Sequence, residues 1–144
     1  MNRILVVCEG NICRSPMAEA LLAANLPDLK VESAGLGALV GMPADETAVK
    51  IMGEHGIDLS AHRARQITRQ MCLAADLVLV MEHEQRQRVV NLYPQASGRV
   101  FRIAEHARRD VPDPYRKTQA AFRDAFALIE EGAQHWLERI RRLT

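Results

Sequence analysis

An apolar run, Ile4-Leu5-Val6-Val7, passes without a break into Cys8-Glu9-Gly10-Asn11-Ile12-Cys13-Arg14-Ser15-Pro16. A strand that ends on a cysteine must turn within a few residues into a helix that opens at a proline. Only a tight strand-to-helix loop fits between them. Gly10 supplies the backbone freedom, and Asn11 tolerates a left-handed conformation. Such a loop aims successive N–H groups at one point and so forms an anion nest. Ser15 is the expected N-cap and Pro16 the expected first residue of a helix over 16–25. The positive end of that helix then points into the loop.

A phosphate dianion suits this cradle. Backbone donors, the helix dipole and the Arg14 guanidinium fork would hold it, and lysine cannot copy the bidentate fork. The same field favours thiolate over thiol at Cys8. The Ser15 hydroxyl is placed to donate a hydrogen bond to that sulfur. A thiolate below a bound phosphate, in line with the leaving oxygen, would form a phosphocysteine. Arg14 and the loop amides would stabilise the equatorial oxygens. The leaving oxygen needs a proton, and Val111-Pro112-Asp113-Pro114-Tyr115 offers a carboxyl group. Its two prolines keep Asp113 on a stiff loop, a sensible mount for a general acid. Asp-Pro is also an ordinary turn dipeptide; the Cys8 loop is what favours the acid.

These segments resemble the low-molecular-weight protein tyrosine phosphatases. The likeness spans essentially the whole chain, through the Cys8 to Ser15 loop, Ser33-Ala34-Gly35 and Asp113-Pro114-Tyr115. It is greatest to the bacterial enzymes encoded with exopolysaccharide or capsule export systems, which carry a stretch similar to residues 31–41. The resemblance implies Cys8 as nucleophile, Arg14 as phosphate clamp and Asp113 as proton donor, then as base for the water that hydrolyses phosphocysteine. It implies that Asn11 and Ser15 order the loop and stabilise the thiolate. Glu9, Gly10, Asn11, Ile12, Cys13 and Ser15 are expected around the substrate, with Ile12, Leu39 and Tyr115 walling a slot for a phenyl ring. Many relatives have an aromatic residue where Leu39 stands. Glu9 is unusual, because an acid beside a phosphate site repels substrate unless it points outward. The expected partner is a phosphotyrosine protein, a membrane-bound tyrosine autokinase of exopolysaccharide production.

The rest of the chain reads as alternating strands (3–7, 29–33, 76–81, 98–103) and helices (16–25, 45–55, 68–74, 82–92, 118–141). Leu77-Val78-Leu79-Val80 is apolar on both faces, as a buried parallel strand is. The expected fold is one α/β domain over 1–144: an open four-stranded parallel sheet, helices on both faces, and the phosphate-binding loop after the first strand. Gly56 is a plausible helix C-cap. Phe122, Phe126, Ile129, Ala133, Trp136 and Ile140 form an apolar stripe on the last helix.

A net charge of +1 offers no general attraction to nucleic acid or membranes. No apolar run approaches the ~18 residues of a membrane span, and the start enters a strand at once, with no signal peptide expected. Three cysteines in no framework spacing suggest a reducing cytoplasm. The five histidines show no metal-ligand pattern, and no metal or cofactor is expected. Arg63, Arg65 and Arg69 read as a solvated face. Arg108 and Arg109, flanking the proposed site, could touch an acidic substrate tail. Arsenate reduction would need further cysteines after the loop, and only Cys72 follows. Arginine phosphatases resemble this chain but carry threonine at the position of Ile12. A non-catalytic phosphate-binding module would not need Cys8, Arg14 and Asp113 together.

Overall fold

Side chains alternate across each central strand, and both sides are buried. A computed structural model describes residues 1–143. In it, Ile4 and Val6 of β1 (Arg3–Cys8) and Leu77 and Leu79 of β3 (Leu77–Val80) face one apolar cluster. Leu5, Val7, Val78 and Val80 face a second. With β2 (Lys30–Gly35) and β4 (Val100–Arg102) they form a parallel sheet in the order β2-β1-β3-β4. Helices α1 (Arg14–Asn25), α2 (Glu46–Glu54) and α5 (Gln119–Arg142) contribute to the first cluster. Helices α3 (Arg69–Ala74) and α4 (His83–Leu92) cover the other face. The expected fold class is the observed one. No helix among the described residues is long and apolar enough to cross a membrane.

Three boundaries differ from expectation. Helix α1 begins at Arg14, with Cys13 as N-cap and no side-chain cap bond. Ser15 is therefore not the cap; its hydroxyl is engaged elsewhere. Pro16 lies in the first turn, where its missing N–H costs no helical hydrogen bond. Strand β2 continues to Gly35, which pairs with Cys8 and bridges to Gln66. A Cβ on Gly35 would meet the Glu9 carbonyl oxygen at 2.5 Å, so no side chain fits where β2 passes the loop. Strand β4 is short because Pro94–Arg99 forms a 3-10 helix before it. Asp45 and Thr68 are N-caps, accepting from Thr47 and Met71 N–H groups. Gly56, just past the α2 cap, has the left-handed φ of +75° expected of it.

This arrangement puts the ends of β1 and β3 side by side. The loop after Cys8, the start of α4 and the segment around Val111 meet there. Val111 is fully buried and its N–H donates to the Met81 carbonyl at 2.9 Å, so the segment bearing Asp113 is tied to the end of β3.

Candidate active site

The loop after β1 turns its carbonyls outward. Cys8, Glu9 and Gly10 carbonyls accept from Leu36, Gly37 and Leu39 N–H groups at 2.9–3.0 Å. The Asn11 carbonyl accepts from His62 Nε2 at 2.7 Å, and the Ile12 carbonyl from Asp45 N–H at 2.8 Å. In a trans peptide the C=O of one residue and the N–H of the next point opposite ways. Five carbonyls facing out therefore direct the N–H groups of residues 9–13 inward. One contact shows the direction: the Asn11 N–H donates to Cys8 Sγ at 3.3 Å. This is the anion nest the sequence suggests.

Asn11 holds the loop in that shape. Its φ is +60°, in the left-handed region asparagine tolerates. Its buried amide is fully used: Nδ2 donates to Ser15 Oγ at 2.8 Å and to Ser33 Oγ at 2.9 Å, and Oδ1 accepts from the Arg65 N–H at 2.9 Å. Ser15 Oγ, which accepts from Asn11, lies 2.9 Å from Cys8 Sγ and donates to that sulfur when it is a thiolate. Ser33 likewise accepts from Asn11 and donates to Glu19. His62 must carry its proton on Nε2, because a carbonyl can only accept.

Arg14 is 2% exposed. One terminal nitrogen donates to the Val111 carbonyl at 2.7 Å and to Glu82 Oε2 at 2.5 Å. The other lies 3.8 Å from Asp113 Oδ2. Asp113 Oδ1 accepts from the Tyr115 N–H at 3.0 Å, an Asx turn that sets Tyr115 beyond the acid. The Glu9 carboxylate pairs with Arg88 on α4 at 2.5 Å, and so is drawn toward that helix. Burial pushes the Cys13 thiol far up, and the negative charges of Asp45, Cys8 and Asp113 push the same way. Burial also raises Cys72.

Cys8, Glu9, Gly10, Ile12, Cys13, Arg14, Leu39, Asp113 and Tyr115 line one cavity of about 150 Å³. An engineered apolar cavity of roughly that volume takes one benzene ring. The two remaining candidates, Asn11 and Ser15, are wholly buried behind the wall. Their side chains hold the loop and do not line the space a ligand would fill. Arg109 lines an adjoining hollow with Asp113 and Lys117.

Several participants carry little signal in the sequence. Glu82 follows β3 at the carboxyl edge where ligands of open α/β sheets bind, which is the one signal that marks it. Arg88 and Glu19 carry none. Arg65, expected on a solvated face, donates through Nε to the Ser33 carbonyl and through its terminal nitrogen to Glu32. Of the histidines, His62 alone is half-buried, against the loop, and the exposed His106 and His135 stand together with Glu131 away from the cavity, a grouping the sequence does not show.

The family model for low molecular weight phosphotyrosine protein phosphatase matches residues 3–144. The chain belongs to that family. A probable low molecular weight protein-tyrosine-phosphatase, EpsP of Ralstonia nicotianae, is 52% identical over 99% of both chains. The solved structure of Vibrio vulnificus Wzb in complex with benzylphosphonate is 40% identical, with a TM-score of 0.92 over 96% of this chain and 98% of its own. A YwlE arginine phosphatase is more distant, 29% identical with a TM-score of 0.89 over 96% and 95%. This chain is thus a phosphatase of the phosphotyrosine family, and its cavity is the place to look for the chemistry.

Proposed function

We infer that the enzyme removes phosphate from protein phosphotyrosine in two steps at this cavity. Cys8 Sγ attacks phosphorus, and the bond to the phenolic oxygen breaks as Asp113 gives that oxygen a proton. Phosphocysteine remains. Asp113, now a carboxylate, takes a proton from water as the water oxygen attacks phosphorus and the thiolate leaves. In both steps charge grows on the equatorial oxygens, where the inward amides of residues 9–13 and Arg14 stabilise it. Glu82 and the Val111 carbonyl hold one edge of the Arg14 guanidinium and leave the other facing Asp113 and the cavity.

The observation that carries this reading is the Cys8 sulfur at the floor of an inward-facing amide nest, with Arg14 and Asp113 on the same cavity. Ile12, Leu39 and Tyr115 give the cavity apolar walls that suit a phenyl ring. A phosphoserine has no ring to fill those walls. Ile12 offers no polar partner to a guanidinium, which favours phosphotyrosine over phosphoarginine. Peptides bearing each of the three phosphoamino acids test the assignment. Preferred turnover of phosphoarginine would overturn it, as would full activity in Cys8→Ser.

The physiological substrate proposed is the cytoplasmic, tyrosine-rich tail of a membrane-bound autokinase in exopolysaccharide production. Its support is the resemblance of residues 31–41 to the exopolysaccharide-linked group, and a slot whose aliphatic wall does not demand one flanking sequence. Arg108 and Arg109 would meet acidic residues of such a tail. Deletion in the native host tests this. Unchanged tyrosine phosphorylation of the kinase and unchanged polysaccharide would sink the partner while leaving the chemistry standing.

A further inference from the structure

The fold brings together three metal-ligand side chains that the sequence scatters. His106 lies on the 3-10 turn Glu105–Ala107, just after β4. Glu131 and His135 lie on α5, one turn apart and so on one face. One ligand atom from each falls within 4.8 Å of the others. His106 Nε2 is 3.3 Å from Glu131 Oε1. Two ligands held by one zinc ion at roughly 2.0–2.2 Å in tetrahedral geometry are themselves roughly 3.3–3.6 Å apart. That pair therefore already has the length of a tetrahedron edge. His135 is stacked on His106, centroids 3.9 Å apart and planes 9° apart. Stacked parallel rings hold their in-plane lone pairs apart, so the exposed His135 ring must turn out of the stack to bring a nitrogen to the third corner.

The backbones beneath these side chains are rigid. Gly132 lets α5 approach the end of β4 so closely that a Cβ there would meet the Ile103 carbonyl oxygen at 2.4 Å. Trp136 Nε1 donates to the same carbonyl at 3.0 Å. Ile103, just past β4 and two residues before the turn, is thus held against α5 at Gly132 and Trp136. Arg139, lining the same hollow, is held over the Trp136 ring.

We propose that His106, Glu131 and His135 form a binding site for a divalent transition metal of the zinc type, with water in the fourth position. Two imidazoles and a carboxylate, without a thiolate, suit zinc, nickel and copper over magnesium or calcium. On binding, His106 adopts the tautomer with its proton on Nδ1, exchanged through solvent, and the metal takes the place between Nε2 and Glu131. The site shares no residue with the catalytic cavity. It clamps the 3-10 turn to α5, and the segment carrying Asp113 starts directly after that turn.

The test uses tag-free protein stripped with a chelator, then titrated with cobalt and zinc. Cobalt should bind one per chain, with visible d–d absorption and no thiolate-to-metal band. Saturating zinc should raise the thermal midpoint by several degrees. His106→Ala and His135→Ala should each weaken binding by more than about tenfold, the least expected when removing an outer partner already costs about 10–100-fold. Glu131→Gln should weaken it too. Glu131 and His135 are exposed, and the His106 side chain, 17% exposed, lies beside them at the surface, so the metal-free variants should melt close to the wild type and keep its aryl phosphate turnover. Equal binding by wild type and variants would overturn the proposal. So would a thiolate band that survives His135→Ala, because it would place the metal on Cys8.

Discussion

Asn11 and Ser15 behind the floor of the cavity have no exposed surface, whereas Leu39 and Tyr115 at its mouth are 41% and 37% exposed. The floor is held by a continuous chain of hydrogen bonds from Glu19 through Ser33, Asn11 and Ser15 to Cys8. The mouth is shaped by apolar side chains in contact with water. A phosphoryl transition state asks for donors fixed before the substrate arrives, and burial with full hydrogen bonding provides that. A protein substrate asks for a surface that accepts different neighbours, and an exposed aliphatic rim provides that. The difference makes a testable claim: changes at the floor should act on kcat, and changes at the rim on KM.

The largest effects should come from the floor. Cys8→Ser should lose on the order of 10⁶-fold, the scale seen when a covalent nucleophile is removed. Arg14→Lys should lose roughly 10³–10⁵-fold, as when a transition-state arginine is lost, because an ammonium has no planar fork that rests one edge on Val111 and Glu82 and offers the other to a phosphate. Steady-state hydrolysis of phosphotyrosine peptide measures both. An Arg14→Lys enzyme within tenfold of wild type would show that the nest alone suffices.

Asp113 belongs to both regions, because its side chain is 46% exposed yet lies near the buried Arg14. Asp113→Asn should slow phosphotyrosine turnover by about 10²–10⁴-fold, the usual share of general acid catalysis. It should do much less to aryl phosphates with acidic leaving groups, which need little protonation. Equal losses across a leaving-group series would remove Asp113 from the role of acid.

The floor and the rim are not equally legible in the sequence. Cys8, Gly10, Asn11, Arg14 and Asp113 are marked by local signals: a strand end, turn residues, a fixed spacing, flanking prolines. The four strands are marked by apolar runs, although β4 is cut short by a 3-10 helix that no period announces. Ser15 reads as a cap because Ser-Pro before a helix is a local pattern, while its actual partner lies across the loop. Glu82, Arg88 and His62 escape a reading of the sequence for a related reason. Each meets its partner over a separation of 51 residues or more, and a single charged residue carries no periodicity to betray such a contact.

Asn11→Ala probes whether the floor is as rigid as its hydrogen bonds suggest. The variant leaves Ser33, Ser15 and the Arg65 N–H without their partner and puts alanine at a left-handed φ. Buried groups left unpaired cost ~1–3 kcal/mol each, and some relaxation is available, so a loss of about 2–4 kcal/mol in stability is expected. Thermal unfolding reads this, and kcat should fall well beyond any change in KM. Unchanged unfolding with reduced kcat would mean that the loop is held by His62 and the outward carbonyl bonds alone.

At the rim, Leu39→Ala should raise KM with kcat nearly unchanged. A phenyl ring would cover about 40 Å² of that side chain, worth ~1 kcal/mol at roughly 25 cal/mol per Å², or about fivefold in KM. A fall in kcat of similar size would show that Leu39 also positions the ring for attack.

The smallest effect tests the ion pair between floor and rim. Glu9 stands beside the phosphate site, and Arg88 holds its carboxylate at 2.5 Å. Both side chains are about 40% exposed (43% and 39%), so the pair itself is worth only ~0.2–1 kcal/mol to the fold. Its effect on substrate should be of the same order. Arg88→Ala frees the carboxylate to repel an incoming phosphate dianion, and KM should rise by about two- to threefold with kcat unchanged. Added salt should shrink the difference, because exposed charges are screened within about 8–10 Å at ordinary ionic strength. Combining Arg88→Ala with Glu9→Gln should restore KM, since the repelling charge is gone. If the double variant stays impaired, Arg88 attracts substrate by its own charge and does not act by restraining Glu9.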